Sequence, residues 1–169
     1  MELFDAVLLA AAFLCALTAG LVFAFTVVVM PGIRALPDRD FLQAFAAMDR
    51  VIQQNEPRFL AVWIGSGVAL GTAVVLGISA LGGVDRMLLI GAGAVYLLGV
   101  QLPTVAVNVP LNNRLQALGL DGLDAAALRS EREAFEGRWI YWNAVRTVFA
   151  CITTGALLIL STGGYEVPP

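Results

Sequence analysis

Histidine and lysine are missing from this chain, and cysteine occurs only twice. Without histidine there is no commonest general base, no commonest metal ligand and no usual haem ligand. Cys15 and Cys151 each sit inside an apolar segment with no second cysteine nearby. A thiol-disulfide enzyme needs a paired, accessible motif, so both read as small buried apolar residues. Clustered carboxylates are also absent from the apolar segments, and no metal site is expected. The ten basic residues are all arginine and are scattered. They form no phosphate track, which argues against a nucleic-acid partner, and an arginine-only basic set fits a bacterial source.

What the chain has in abundance is apolar length. Of its 169 residues 59% are hydrophobic, and the mean hydropathy is +0.83, far above a soluble domain. The composition predicts an integral membrane protein with the lipid bilayer as its main partner. One all-α domain over residues 1–169 is expected, a four-transmembrane-helix antiparallel bundle. The spans fall at about 3–30, 58–81, 87–109 and 141–161, each long enough to cross a hydrocarbon core. Leu3 to Met30 follows an acidic flank and exceeds a signal-peptide core, so it is read as the first span, ended by Pro31-Gly32. Ala12, Ala16, Gly20 and Ala24, and Gly67 with Gly71, form small-residue rows that let another helix approach, within the bundle or in a homo-oligomer.

Two connections are long. In the first, Asp38 is placed to cap a helix carrying Phe41, Phe45, Met48 and Ile52 on one side, either interfacial or a lid over the bundle end. In the second, a charged helix with Leu128, Phe135, Trp139 and Trp142 on one face runs on into the last span. These connections and their flanks carry Arg34, Arg39, Arg50, Arg58, Arg114, Arg129, Arg132 and Arg138, whereas the opposite side has only Arg86. The arginine bias predicts a plasma-membrane protein with both long connections cytoplasmic and both termini outside.

That topology gathers the polar features at one face. Gln101, Thr104, Asn108 and Asn112 recur at helical offsets and form a polar stripe, interrupted by Pro103 and Pro110. Each proline frees the carbonyl four residues back, Gly99 and Ala106, and such carbonyls need partners or a wet cavity within a membrane. The stripe either glues helices together or lines a site. Arg146 lies about one turn into the last span, where a cation is costly unless paired or solvated; Asp49, Glu56 and Glu136 are its candidate anionic partners. Trp63, Trp139, Tyr141 and Trp142 belong to the same face. They form an aromatic belt, or a flat pocket with Arg146, Asn108 and Asn143 as its polar contacts.

The motifs Gly20-Leu-Val-Phe-Ala-Phe-Thr, Val29-Met-Pro-Gly, Asn55-Glu-Pro-Arg-Phe and Asn108-Val-Pro-Leu-Asn, with Trp139 and Trp142-Asn143-x-x-Arg146-Thr147, come in order along nearly the whole chain. Together they resemble the anthrone oxygenase-like family of small integral membrane proteins, much of it a domain of unknown function. The resemblance implies a four-helix membrane bundle and, for characterised members, oxidation of an anthrone to an anthraquinone by O2 without metal or flavin. It carries Met30, Pro31, Asn55, Asn108, Pro110, Asn112, Trp139, Trp142, Asn143 and Arg146 as the matching positions.

Cofactor-free oxygenation needs a base to remove a proton beside a carbonyl and donors aimed at the resulting oxyanion. Arg146, Asn108 and Asn143 are the candidate catalytic donors, and the base must be Asp49, Glu56 or Glu136. Met30, Asn55, Thr104, Asn112, Trp63, Trp139 and Trp142 are the candidate ligand-binding residues for a hydrophobic aromatic small molecule. No cofactor and no metal ligand are expected. The alternative is a non-catalytic accessory subunit or lipophile-binding membrane protein.

Overall fold

The computed structural model describes residues 2–163, and every regular element among them is helical. Four helices are long and apolar enough to cross a membrane: α1 (Glu2–Arg34), α3 (Pro57–Ala80), α4 (Gly83–Gln116) and α5 (Ala125–Thr162). Between the first two lies α2 (Asp38–Gln53). The protein is thus a multi-pass helical bundle, with chains of Leu, Val, Ile and Phe such as Leu9, Phe13, Val68 and Val75 left exposed around its outside. In hydrocarbon that exposure carries no penalty, and only the backbone must be satisfied internally, which helices do.

The inward stripe of α1 runs Phe4, Leu8, Ala11, Cys15, Thr18 and Val22, all buried. It packs most extensively against α3 and α5. Of the small-residue row on this helix, Ala12 is buried in the bundle, whereas Ala16 and Gly20 face outward. Packing instead selects the face whose side chains, from Phe4 to Val22, fill the bundle. Cys15 is buried as expected, but Cys151 is exposed on the outer face of α5; an apolar segment buries only the stripe that meets other helices, and the rest meets lipid.

Three prolines do not end the helices that contain them. Each follows a π-helical turn: Phe25–Val29 before Pro31, Leu97–Gln101 before Pro103, Thr104–Asn108 before Pro110. In each case the residue preceding the proline donates its N–H five residues back, Met30 to Phe25, Leu102 to Leu97 and Val109 to Thr104. The wide turn inserts one residue into the helix and offsets the ladder around the missing proline N–H. α1 therefore continues past Pro31 to Arg34, and α4 past Val109 to Gln116.

The connections are fixed by their own chemistry. Asn55 takes a left-handed conformation (φ 59°), and Glu56 caps α3 by accepting from the Phe59 N–H at 2.8 Å, with Pro57 at the first helical position. Asp124 caps α5 in the same way through Ala127. Asp38 does not cap α2, whose N-cap residue is Pro37 without a side-chain bond. Its carboxylate meets Arg132 at 3.1 Å instead.

Arg132 also donates to the carbonyls of Arg34 at 2.7 Å and Leu36 at 2.8 Å, the open carbonyls after α1, and lies 4.3 Å over the Phe41 ring. This clasp, with Phe41 and Phe45 edge-on to Phe135, seats α2 over one end of the bundle as a lid. Both long connections lie at that end, α2 packing on α4 and α5. α5 is one uninterrupted helix, its polar first half packing on the lid and its apolar second half in the bundle.

Gly99 marks the tightest approach of α4 to α5: a Cβ there would overlap the Phe149 ring. Gly99→Ala should therefore destabilise the bundle by about 1 to 3 kcal/mol through overpacking. A thermal melt in detergent as stable as wild type would show that the two helices can separate without cost.

Candidate functional site

Between the lid and the bundle lies a cavity of about 200 Å³ with mostly apolar walls. α1 supplies Leu21, Val22 and Phe25; α2 supplies Phe45, Asp49 and Ile52; α3 supplies Phe59 and Trp63. α4 contributes Thr104, Asn108, Val109 and Asn112, and α5 contributes Trp139, Asn143 and Arg146. The polar stripe of α4 is thus one wall, put there by π-turns that keep the helix running through Pro103 and Pro110.

Arg146 is only 6% exposed. Its Nη1 donates to Thr104 Oγ1 at 3.1 Å and its Nη2 to Asn143 Oδ1 at 2.7 Å. None of the three expected anionic partners pairs with it. Glu56 is occupied by Arg58 and the Phe59 N–H, which hold its carboxyl below the usual carboxylate range. Glu136 is bound to Arg34 and Arg132. Asp49 accepts from Asn112, Gln53 and Gln116 at 2.7, 3.3 and 2.9 Å. The guanidinium therefore rests on neutral groups, with the Trp139 ring 5.8 Å away, and its Nε is buried without a partner.

The neutral supports are themselves fixed. Asn143 Nδ2 donates to the Val22 carbonyl at 2.9 Å and Thr26 Oγ1 at 2.8 Å, which orients its oxygen toward Arg146. Thr104 Oγ1 donates to the Val100 carbonyl at 2.7 Å, leaving its lone pairs for the guanidinium. Asn112 bridges the lid to α5, giving Nδ2 to Asp49 and accepting from Trp139 Nε1 at 2.8 Å. Asn108 Nδ2 makes a long 3.4 Å bond to the Trp139 carbonyl. A carbonyl partner requires the amide nitrogen on that side, so Asn108 Oδ1 is the atom left over, buried without a partner.

Two atoms of these residues, the donor Arg146 Nε and the acceptor Asn108 Oδ1, are thus closed off without a partner. The wall also holds a cation and a carboxylate that are not paired with each other. Buried polar atoms left in this way cost about 1 to 3 kcal/mol each.

Of the residues singled out from the sequence, Arg146, Asn108, Asn143, Thr104, Asn112, Trp63 and Trp139 line this cavity. Met30, Asn55 and Trp142 do not. Met30 is buried in the aromatic cluster beneath the lid, Asn55 forms the exposed turn before α3, and Trp142 is half-buried with its ring edge-on to Tyr141. Their motif positions serve the chain path or the helix exterior. Phe25, Phe45, Ile52 and Phe59 were missed as wall residues, although the periodicity of α2 had placed Phe45 and Ile52 together on its apolar side. Among the described residues no group of His, Cys, Asp and Glu is arranged to hold a metal ion.

A family model described as anthrone oxygenase matches residues 59–156, more than half of the chain. No curated protein and no solved structure matches it.

Asn112 joins two elements through buried bonds, so Asn112→Leu should loosen the lid by about 2 kcal/mol, leaving the Trp139 N–H without a partner and the Asp49 carboxylate with one donor fewer. Limited proteolysis would read this as faster cleavage in the Pro31–Pro57 connection. An unchanged rate would mean that the Arg132 clasp and the Phe cluster hold the lid unaided.

Proposed function

The chain belongs to the anthrone oxygenase family, and from that premise we propose that the cavity binds a planar, weakly acidic aromatic ketone and oxidises it with O2. The observation that carries this reading is Arg146, a buried guanidinium with no carboxylate partner in an aromatic-walled cavity whose only carboxylate, Asp49, has no cation. A site of that kind is electrostatically incomplete. A ligand that becomes an oxyanion completes it, with its charge on Arg146 and its developing proton on Asp49.

The chemistry balances without further reactants. Asp49 takes a proton from the methylene opposite the anthrone carbonyl, and the resulting enolate spreads its charge onto the oxygen facing Arg146. The enolate gives an electron to O2, and the radical pair joins as a C–O bond to a hydroperoxide at the former methylene carbon. Loss of the second methylene hydrogen as a proton, with cleavage of the O–O bond, leaves a carbonyl and releases water. Anthrone and O2 become anthraquinone and water. The rings of Phe45, Phe59, Trp63 and Trp139 flank the flat ligand and exclude bulk water. A neutral pocket would leave the enolate to be stabilised by solvent; here the cation is preorganised and already desolvated.

The test uses purified protein in detergent with a dihydroxyanthrone under air, following quinone absorbance. A rate well above spontaneous oxidation is expected. Loss of one preorganised oxyanion donor costs about 100-fold or more, so Arg146→Met should fall at least that far, and Asp49→Asn should fall with it. Glu136→Gln, outside the cavity, should keep the rate. Because Arg146→Met also takes the donors from Thr104 Oγ1 and Asn143 Oδ1, it should melt below wild type, and the rates are compared at a temperature where both proteins stay folded. Binding without any rate above the spontaneous one, across several anthrones, would replace this reading with the non-catalytic lipophile-binding one.

A further inference from the structure

A second hollow lies beyond the polar wall of the cavity. On α3 the residues Phe59, Trp63, Gly67 and Gly71 follow one another at four-residue steps on a single face. The first two line the cavity, and the last two line this second hollow, of about 370 Å³, on the outside of the bundle. On α4 the same change occurs across one turn: Thr104 and Asn108 belong to the cavity, Gln101 and Leu97 to the outer groove. Both helices thus pass from cavity to groove at the same level and in the same direction, so the two hollows lie on one seam.

The seam exists because α3 and α4 approach each other closely over far less of their length than α1 approaches α3. Near their turn they touch through Gly77 against Leu89 and Gly93 against Val74. Beyond it the gap is bridged by a long side chain, Tyr96, whose hydroxyl lies 2.6 Å from Ser66 Oγ. Ser66 in turn donates to the Trp63 carbonyl. Tyr96 is buried and also lines the groove, so the groove has a closed floor. Its rims are glycines: Gly71 has no atom within 4 Å of where a Cβ would stand. The groove is otherwise apolar, with Gln101 at the cavity end.

We propose that this groove holds an alkyl or isoprenoid tail on the same molecule whose ring occupies the cavity, so that the ligand is a tailed aromatic reaching the site from the bilayer along the α3–α4 seam. The inference rests on the reading of the cavity as the site of a planar acidic ring. Three features point to this occupant. The groove begins one helical turn from the cavity on both helices. The polar side chains Arg146, Thr104, Asn108 and Asn112 belong to the cavity lining, whereas the groove offers only Gln101 and the tyrosine Tyr96. The seam opens on the lipid-facing side of the bundle, where a tailed ring would already be dissolved. Because hydrocarbon surrounds the tail before and after it docks, its gain comes from packing and alignment rather than from leaving water. The tail should therefore raise affinity by about tenfold, not by orders of magnitude.

The experiment uses the full chain in lipid nanodiscs under argon, so that binding is read without turnover. Two probes are compared, a dihydroxyanthrone and the same ring with a dodecyl chain ending in a diazirine, each corrected for partition into protein-free nanodiscs. The tailed probe should bind about tenfold more tightly, and light should attach its tail to the groove, at residues such as Val74 and Leu97. Gly71→Leu projects a side chain into the groove from a position where its Cβ meets no neighbour; it should erase the tail's gain and leave the untailed probe as in wild type. Equal affinities for the two probes would overturn the inference while leaving the cavity reading intact. So would a gain that survives Gly71→Leu, or labelling spread over outer residues such as Leu9 and Phe13. A change of oligomeric state in Gly71→Leu would assign the groove to a second copy of the chain. Failure of the untailed probe to bind at all would overturn the cavity reading, and this inference with it.

Discussion

A guanidinium buried among neutral groups is the constraint on which the bundle end is built. Arg146 is held by Thr104 Oγ1 and Asn143 Oδ1, and each of those atoms is oriented by a bond to a backbone carbonyl, Val100 and Val22. Those carbonyls belong to α4 and α1, so one cation on α5 ties three spans together. A carboxylate in place of either support would lower the cost of burying the charge. It would also cancel the field that the unpaired cation sets up at this end of the bundle. Supporting the guanidinium with one hydroxyl and one amide keeps the charge available, and the orphan Nε is the visible consequence.

The prolines have a related role. A proline in a membrane helix leaves carbonyls that must be satisfied within the protein. Here the solution is a π-turn of five residues before each one, and the side chains beside those turns do the remaining work. The turn Phe25–Val29 includes Thr26, which meets Asn143 and Thr147. The turn Thr104–Asn108 begins and ends on residues of the cavity wall. Widening a helix re-aims the side chains of one turn relative to the next. The altered turns of α1 and α4 both fall where the polar network crosses from helix to helix.

The bundle itself was legible from hydropathy alone, because four long apolar runs have few other places to go. The polar stripe of α4 and the depth of Arg146 were legible for the same reason, since polar groups in such runs must find one another. What was not legible followed from choices between near-equivalent faces. The four-residue row of small residues on α1 looked like a packing seam, but the face from Phe4 to Val22 offers more volume to bury, and Ala16 and Gly20 were left outside. Pro31 reads as a stop in any local rule, because a compensating turn upstream leaves no mark in composition. Trp142 stood next to Asn143 in sequence, yet adjacent residues on a helix point about 100° apart, so when Asn143 faces inward Trp142 turns away. Asp38 and Arg132 are far apart in the chain, and no local rule takes an expected cap away from its helix to serve a distant arginine.

The family match begins at Phe59 and so leaves out α1 and the lid. It contains the cation, its amide and hydroxyl supports and the indole of Trp139, all on α4 and α5. It does not contain Asp49, Phe45 or Ile52 of the lid, nor Phe25 of α1, which complete the cavity. The two halves are therefore physically different contributions. The matched half supplies the buried cation and its neutral supports, on spans held deep in the bundle, together with the aromatic walls Phe59, Trp63 and Trp139. The other half supplies Asp49, Phe45 and Ile52, on an amphipathic helix clasped by Arg132 and bridged by Asn112, and Phe25 of α1. A change at Phe45 or Ile52 alters the cavity wall without touching the buried guanidinium, whereas a change at Phe59, Trp63 or Trp139 falls on the spans themselves. Moving the cation would require rebuilding the contacts that tie α1, α4 and α5 together. The cation is thus fixed by three spans, and one part of the wall is set by the lid alone.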